Sequence, residues 1–321
     1  RQRISYWKER NYALEIYRDA VKYQLSGEEK EYSFDTMKEA IRVLHKVIDL
    51  GCAYAWKIHK ENGSGVCPTY FYYTVTDYKK TEDGIEILDA LLEKTPDFLE
   101  GNVRFFKTRT GFALKKNLYR TVKDSNLYDR KLKMYKVNAD LNKASYEVGR
   151  AKSFTPGWLE NESVWLHMEY KYLLEILKAD MYEEFLADFH QAVIPFLKEE
   201  QYGRSLLENS SFIASSANPD ERIHGKGFVA RLSGSTVEFL NMWQIMMFGK
   251  QPFTWENGKL SLQFKPLLPD YLISENTIEA MFLGSIPVIY KLPDQNTITP
   301  ANAKISRYEV TDNNGTIIRV N

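Results

Sequence analysis

"RLSGSTVEFLNMWQIMMFG", residues 231–249, is where the chain changes character. A Ser-Gly-Ser-Thr turn runs into a segment that is apolar on almost every side, the pattern of a buried helix. Ser235 and Glu238 fit the S-x-x-E capping box, which predicts a helix start at the turn. Gly234 adds a backbone freedom that other residues lack. A helix start carries unpaired N–H groups and the positive end of the dipole, so it is a ready anion site. Ser235 and Glu238 can also satisfy those donors themselves, and on local chemistry alone self-capping is the expectation. Upstream of this stretch the sequence reads mainly as helix; downstream it reads as short strands.

Working upstream, apolar residues recur at helical spacing over 6–25 and 33–60, with Ser33 as a cap for the second run. "NGSGVCP" (62–68) breaks the pattern, and "TYFYYTVTDY" (69–78) is a β-branched, aromatic, strand-like insert. Asp83 with Glu86 predicts a short capped helix through Leu92. Further helices are predicted over 112–123, 163–178 and 182–197, the last interrupted near Pro195. Residues 208–228 read as a long loop. Downstream, strands are expected over 260–264, 278–283, 286–291, 304–311 and 316–320, with "DNNG" (312–315) as a hairpin turn. The chain therefore divides into an α-helical region, 1–250, and a small β domain, 251–321. Paired helices joined by long polar loops predict a bundle or a helical toroid with its site in the loops at one end.

Composition narrows the partners. Lys+Arg and Asp+Glu both number 43, so the net charge is zero. No nucleic-acid partner is expected, since that would need a basic footprint. Aromatics make up 14% of the chain, which fits either a ring-rich core or a cleft lined by flat faces for sugars. Cys52 and Cys67 have neither metal-type spacing nor a disulfide framework. No apolar run approaches the ~20 residues of a membrane span, and no signal peptide is visible. A reduced, cytoplasmic setting is the expectation, and the Asn-x-Ser/Thr tripeptides at Asn62, Asn161, Asn209 and Asn314 are expected to be chance.

Two stretches could carry chemistry. In "TPGWLENESVWLHMEY" (155–170) a turn presents Trp158, Glu160, Asn161 and Glu162, and the helix that follows brings in His167. A ring beside carboxylate and amide groups suits a sugar, and His167 near a helix start suits an anion. In "NPDERIHGKGFVAR" (218–231) Asp220, Arg222 and Lys226 crowd a glycine-containing loop, which by default is a solvated surface. The common nucleotide, zinc and serine-hydrolase signatures are absent.

Together these stretches resemble the inverting disaccharide phosphorylases, the cellobiose-phosphorylase family. "PGWLENESVWLH" is similar to that family's P-G-x-x-E-N-x5-H segment, and "LSGST" to its L-[TS]-G-[TS] segment downstream. Longer stretches resemble its large members still more closely, some of which act on β-1,2-linked glucans. The resemblance implies the late part of an (α/α)6 barrel followed by a C-terminal β domain. It implies cleavage of a β-glucosidic bond with inversion, using inorganic phosphate as co-substrate and no cofactor or metal. The ligands would be phosphate and a disaccharide or β-glucan oligosaccharide. His167, Ser233 and Gly234 would hold phosphate. Glu160 would bond a sugar hydroxyl, with Asn161 and Trp158 as wall residues.

The departures set further expectations. Ser233 stands where the family usually has Thr, and Glu162-Ser163 where it often has a glycine pair. The upstream D-W-N-D-like segment carrying the family's general-acid aspartate is not found, so the chain is expected to be inactive alone. Its expected partner is an upstream part of the same protein or a second copy. A non-catalytic carbohydrate-binding or scaffold protein is the first alternative. The second is an (α/α) hydrolase or lyase using Asp220 or Glu162 as its acid.

Overall fold

The computed structural model describes residues 2–61, 63–108, 110–230, 234–312 and 314–320. Two long helices open the chain, α1 (Gln2–Val21) and α2 (Phe34–Glu61). Ser33 caps α2 as expected, its Oγ accepting from Thr36 N at 3.2 Å. A long hairpin follows, β1 (Phe71–Thr81) with β2 (Gly84–Lys94). The predicted helix opening at Asp83 is therefore wrong. Gly84 takes φ 137, a conformation open to glycine, and the chain doubles back so that Ile85 and Ile87 pair against β1.

Helices α3 (Leu99–Phe106) and α4 (Phe112–Asp124) lead to the two-residue strands β3 (Tyr128–Asp129) and β4 (Met134–Tyr135). Strand β5 (Val164–Trp165) feeds directly into α5 (Leu166–Lys178). Helices α6 (Tyr182–Ala192) and α7 (Glu199–Tyr202) come next, with a short 3-10 turn at Ile194–Phe196 around Pro195. The segment expected to be a long loop instead contributes β6 (Ser210–Ile213) and, from its end, β7 (Gly227–Ala230). These join β5 in an antiparallel sheet of order β5-β6-β7. Helix α8 (Gly234–Phe248) ends the helical run. Three antiparallel hairpins follow: β8 (Phe253–Glu256) with β9 (Lys259–Leu262), β10 (Thr277–Phe282) with β11 (Ile286–Lys291), and β12 (Glu309–Thr311) with β13 (Ile317–Val320).

Helix α5 is the centre of the core. Ten of its thirteen residues are buried, among them Leu166, Leu173, Leu174, Ile176 and Leu177. Each fully buried Leu or Ile contributes roughly 1.5–3 kcal/mol. Helices α3, α6 and α8 pack around it. Strand β10 turns Ile278, Ala280 and Phe282 inward to meet Met246, Met247 and Phe248 of α8. Tyr290 of β11 secures that junction by donating from its hydroxyl to Met247 O at 2.6 Å.

The expected (α/α)6 toroid does not form among the described residues. Small antiparallel sheets alternate with the helices, and the helices collect around α5 rather than around an axis. Every described α2 residue up to Ala55 is exposed, so α2 does not continue a helical layer. The helical periodicity was right for most segments. In place of helix–loop–helix connections around a ring, the chain between α5 and α8 carries β6 and β7, which pair with β5, while α5 and α8 pack directly on each other. No helix among the described residues is long and apolar enough to cross a membrane.

Candidate functional site

The three-stranded sheet organises the candidate residues. Its register places Trp165 opposite Phe212, and Phe212 opposite Phe228, so the three rings share one face. Their planes are nearly parallel: Trp165 and Phe212 have centroids 6.1 Å apart at 19°, Phe212 and Phe228 5.5 Å apart at 18°. Trp158 lies flat on Phe228, 3.6 Å away at 5°. At the opposite end His167 meets Trp165 edge-on, 5.6 Å away at 88°. The result is one row: Trp158, Phe228, Phe212, Trp165, His167.

Helix α8 closes the His167 end. A Cβ placed on Gly234 would lie 2.2 Å from His167 Nε2, so the imidazole occupies the space any side chain there would need. Gly234 is required by this close approach, not by the special backbone angles expected of it, since its φ is not positive. Ser233 lies outside the described residues. Ser235 is inside α8, buried, and its hydroxyl accepts from Asn209 Nδ2 at 2.9 Å. The capping-box expectation is corrected in the same way for Glu238. Its Oε1 stands 3.7 Å from His167 Nε2.

The charges around His167 oppose one another. Its pKa is lowered, first by burial and then by the positive charge of Lys171, while Glu238 pulls the other way. The ring is therefore neutral at pH 7 and able to donate from one nitrogen only. An anion at this end would find the first N–H groups of α8, the imidazole and Lys171. It would also have to displace or outweigh Glu238.

The other end is built by the turn before β5. Gly157 sits at φ 75, and a Cβ there would meet Asn218 N at 2.5 Å, so the turn packs tightly on residues 215–218. That loop is fixed from below by Asp129, which accepts from Ser216 N at 2.6 Å and Ser216 Oγ at 2.9 Å. Trp158 and Asn161 exchange backbone hydrogen bonds of 3.2 and 3.1 Å. Asn161 is buried, with Nδ2 donating to Phe154 O at 2.7 Å and Oδ1 unpartnered among the described residues. It pins the turn rather than facing solvent. Glu160 is partly exposed and paired with the exposed Arg150 at 2.7 Å.

The structure thus brings His167 and Gly234 together and groups Trp158, Glu160 and Asn161. The two groups stand at opposite ends of the row, separated by three rings. Neither alternative acid is placed to donate a proton. Glu162 is buried against Lys136 at 2.6 Å, its backbone in the left-handed region at φ 56. Asp220 is partly exposed and bound on both oxygens by Arg222, which holds its carboxyl down at about 2. Sequence reasoning missed Lys171, although its spacing of one helical turn from His167 was a usable signal. It also missed Phe212 and Phe228, which only strand pairing brings to the site. No family model matches the chain, and no curated protein matches it.

Proposed function

We propose that this chain supplies the phosphate-holding and sugar-contacting parts of a glycoside phosphorylase acting on β-glucosidic bonds with inversion. A phosphate oxygen bonds to the anomeric carbon, the glycosidic C–O bond breaks, and the leaving oxygen takes a proton. The products are a sugar 1-phosphate and a shortened acceptor. One observation carries the proposal: His167 and Gly234, far apart in sequence, are pressed together at the start of α8. A nucleophile that is already anionic needs holding groups and no second carboxylate. At the far end of the row, Trp158 and the partly exposed Glu160, the latter shared with Arg150, would contact a sugar.

None of the carboxyls considered as proton donors is free for that role. Glu160, Glu162 and Asp220 are each engaged by a cation. The chain alone is therefore expected to bind phosphate and glucosides without turning them over. Titration calorimetry with inorganic phosphate tests the anion site. Binding by the native chain that His167→Ala abolishes supports it, and equal binding by both rejects it. Turnover of glucose 1-phosphate with a glucosyl acceptor by this chain alone would overturn the missing-acid part.

The same missing donor favours the second reading, a non-catalytic carbohydrate-binding protein. Binding of β-glucan oligosaccharides with no phosphate binding at all would select it.

A further inference from the structure

Helix α2 presents a second kind of surface. Phe34, Met37, Ile41, Leu44, Ile48, Gly51, Ala55 and Ile58 follow one another at alternating steps of three and four. That is the heptad period of 3.5, which keeps a seam facing one partner helix along its length. Among the described residues the seam is exposed from Phe34 to Ala55 and partly buried at Ile58. Phe34 is 82% exposed, Ile41 62%, Leu44 61% and Ile48 63%. The ionic residues lie off it, paired within the helix: Lys38 with Asp35, Arg42 with Glu39, His45 with Asp49.

We propose that α2 pairs with α2 of a second copy of this chain in a parallel two-stranded coiled coil. The identity of the seam residues argues for this occupant. With Phe34 at the a position, Ile41 and Ile48 also fall at a, and Leu44 falls at d. Ile at a with Leu at d is the combination that favours two parallel strands. Gly51 and Ala55 narrow the seam toward the end where Trp56 packs on Phe105, letting two helices approach beside the body of the protein. The area is sufficient. At their observed exposures the side chains of the seam, with Val47 on its flank, present on the order of 700 Å², close to the ~800 Å² that each side of a standard interface buries. A patch that size is unusual on a monomer.

Sedimentation of the full chain at tens of micromolar, beside the variant Ile41→Glu/Ile48→Glu, tests the pairing. Both positions are exposed, so the variant keeps the core, which circular dichroism checks. A native dimer and a monomeric, folded variant are expected. A native monomer overturns the proposal and leaves the seam to a helix of a different protein. A variant that remains dimeric overturns it by placing the interface elsewhere. Orientation is read with Leu44→Cys in a Cys52→Ser background. A parallel pair sets the two new thiols at the same level and gives a disulfide-linked dimer on mild oxidation. Dimers that do not cross-link overturn the parallel arrangement.

Discussion

The imidazole of His167 fills the space that a side chain on Gly234 would need, so the two residues constrain one another although one belongs to α5 and the other to α8. Gly234→Ala is expected to push the ring off its position. Overpacking of this kind costs about 1–3 kcal/mol. Phosphate affinity should fall at least tenfold by calorimetry, while urea unfolding shows the smaller loss of stability. Unchanged phosphate affinity in Gly234→Ala would sink the anion site.

The depressed pKa of His167 has a definite sign. The unfolded chain binds a proton near the ordinary value of 6.5 before the folded chain does. Stability contributed by the neutral ring is present above 6.5 and is lost as pH falls through 6.5 toward the lower folded value. Bound sulfate, whose charge is constant over this range, should reverse the preference. Its affinity is expected to rise as pH falls below 6.5, with proton uptake measurable by calorimetry in two buffers. In His167→Gln the pH dependence should be flat.

Glu169 has the opposite sign. Its carboxyl is fully buried, with Oε1 accepting from Tyr135 N at 2.8 Å and Oε2 unpartnered among the described residues. Burial raises its pKa well above 4.5, with Asp188 and Asp129 adding to the effect. Stability is fully present below 4.5 and is lost as pH rises through the folded pKa. Glu169→Gln keeps the acceptor for Tyr135 and cannot ionise. Urea midpoints should therefore fall with rising pH in the native chain and hold in the variant. Parallel curves for the two proteins would reject an ionisation at Glu169.

The buried pair Lys136–Glu162 is expected to be costly to break from one side. Removing one partner of a buried pair costs about 3–5 kcal/mol, because it strands the other charge. Lys136→Met should lose about that much stability, and Lys136→Met/Glu162→Leu distinctly less. Equal losses in the single and double variants would show that the pair does not act as a unit.

Much of the helix content was legible because helical periodicity survives in a single sequence. Residues 33–60 became α2 with Ser33 as its cap, and 112–123 became α4. The overall architecture was not. Two-residue strands such as β5 carry no periodicity to read, and β6 and β7 were hidden in a segment rich in Ser, Asn and Gly. Without them, helices joined by long polar loops read as a bundle or a ring. At the site, the resemblance grouped His167 and Gly234 with Glu160 and Trp158; the first two lie against each other and the other two stand at the far end of the ring row. Local chemistry at Ser235 and Glu238 pointed instead to a self-contained cap. In the structure α8 begins at Gly234, Ser235 accepts from Asn209, and Glu238 faces His167, partners that only the tertiary structure supplies.

The ring row also constrains how the protein comes to be folded. The backbone hydrogen bonds of α5 are local, although its stability comes from the core packed around it. Trp165 meets Phe212 and Phe228 only after a long stretch of intervening chain, including α6 and α7, has been closed into a loop. Loop closure of this kind is slow, because entropy is lost before the contacts that repay it are made. The row from Trp158 to His167 thus depends on pairing between residues distant in sequence, and a chain that holds its helices without that pairing lacks it.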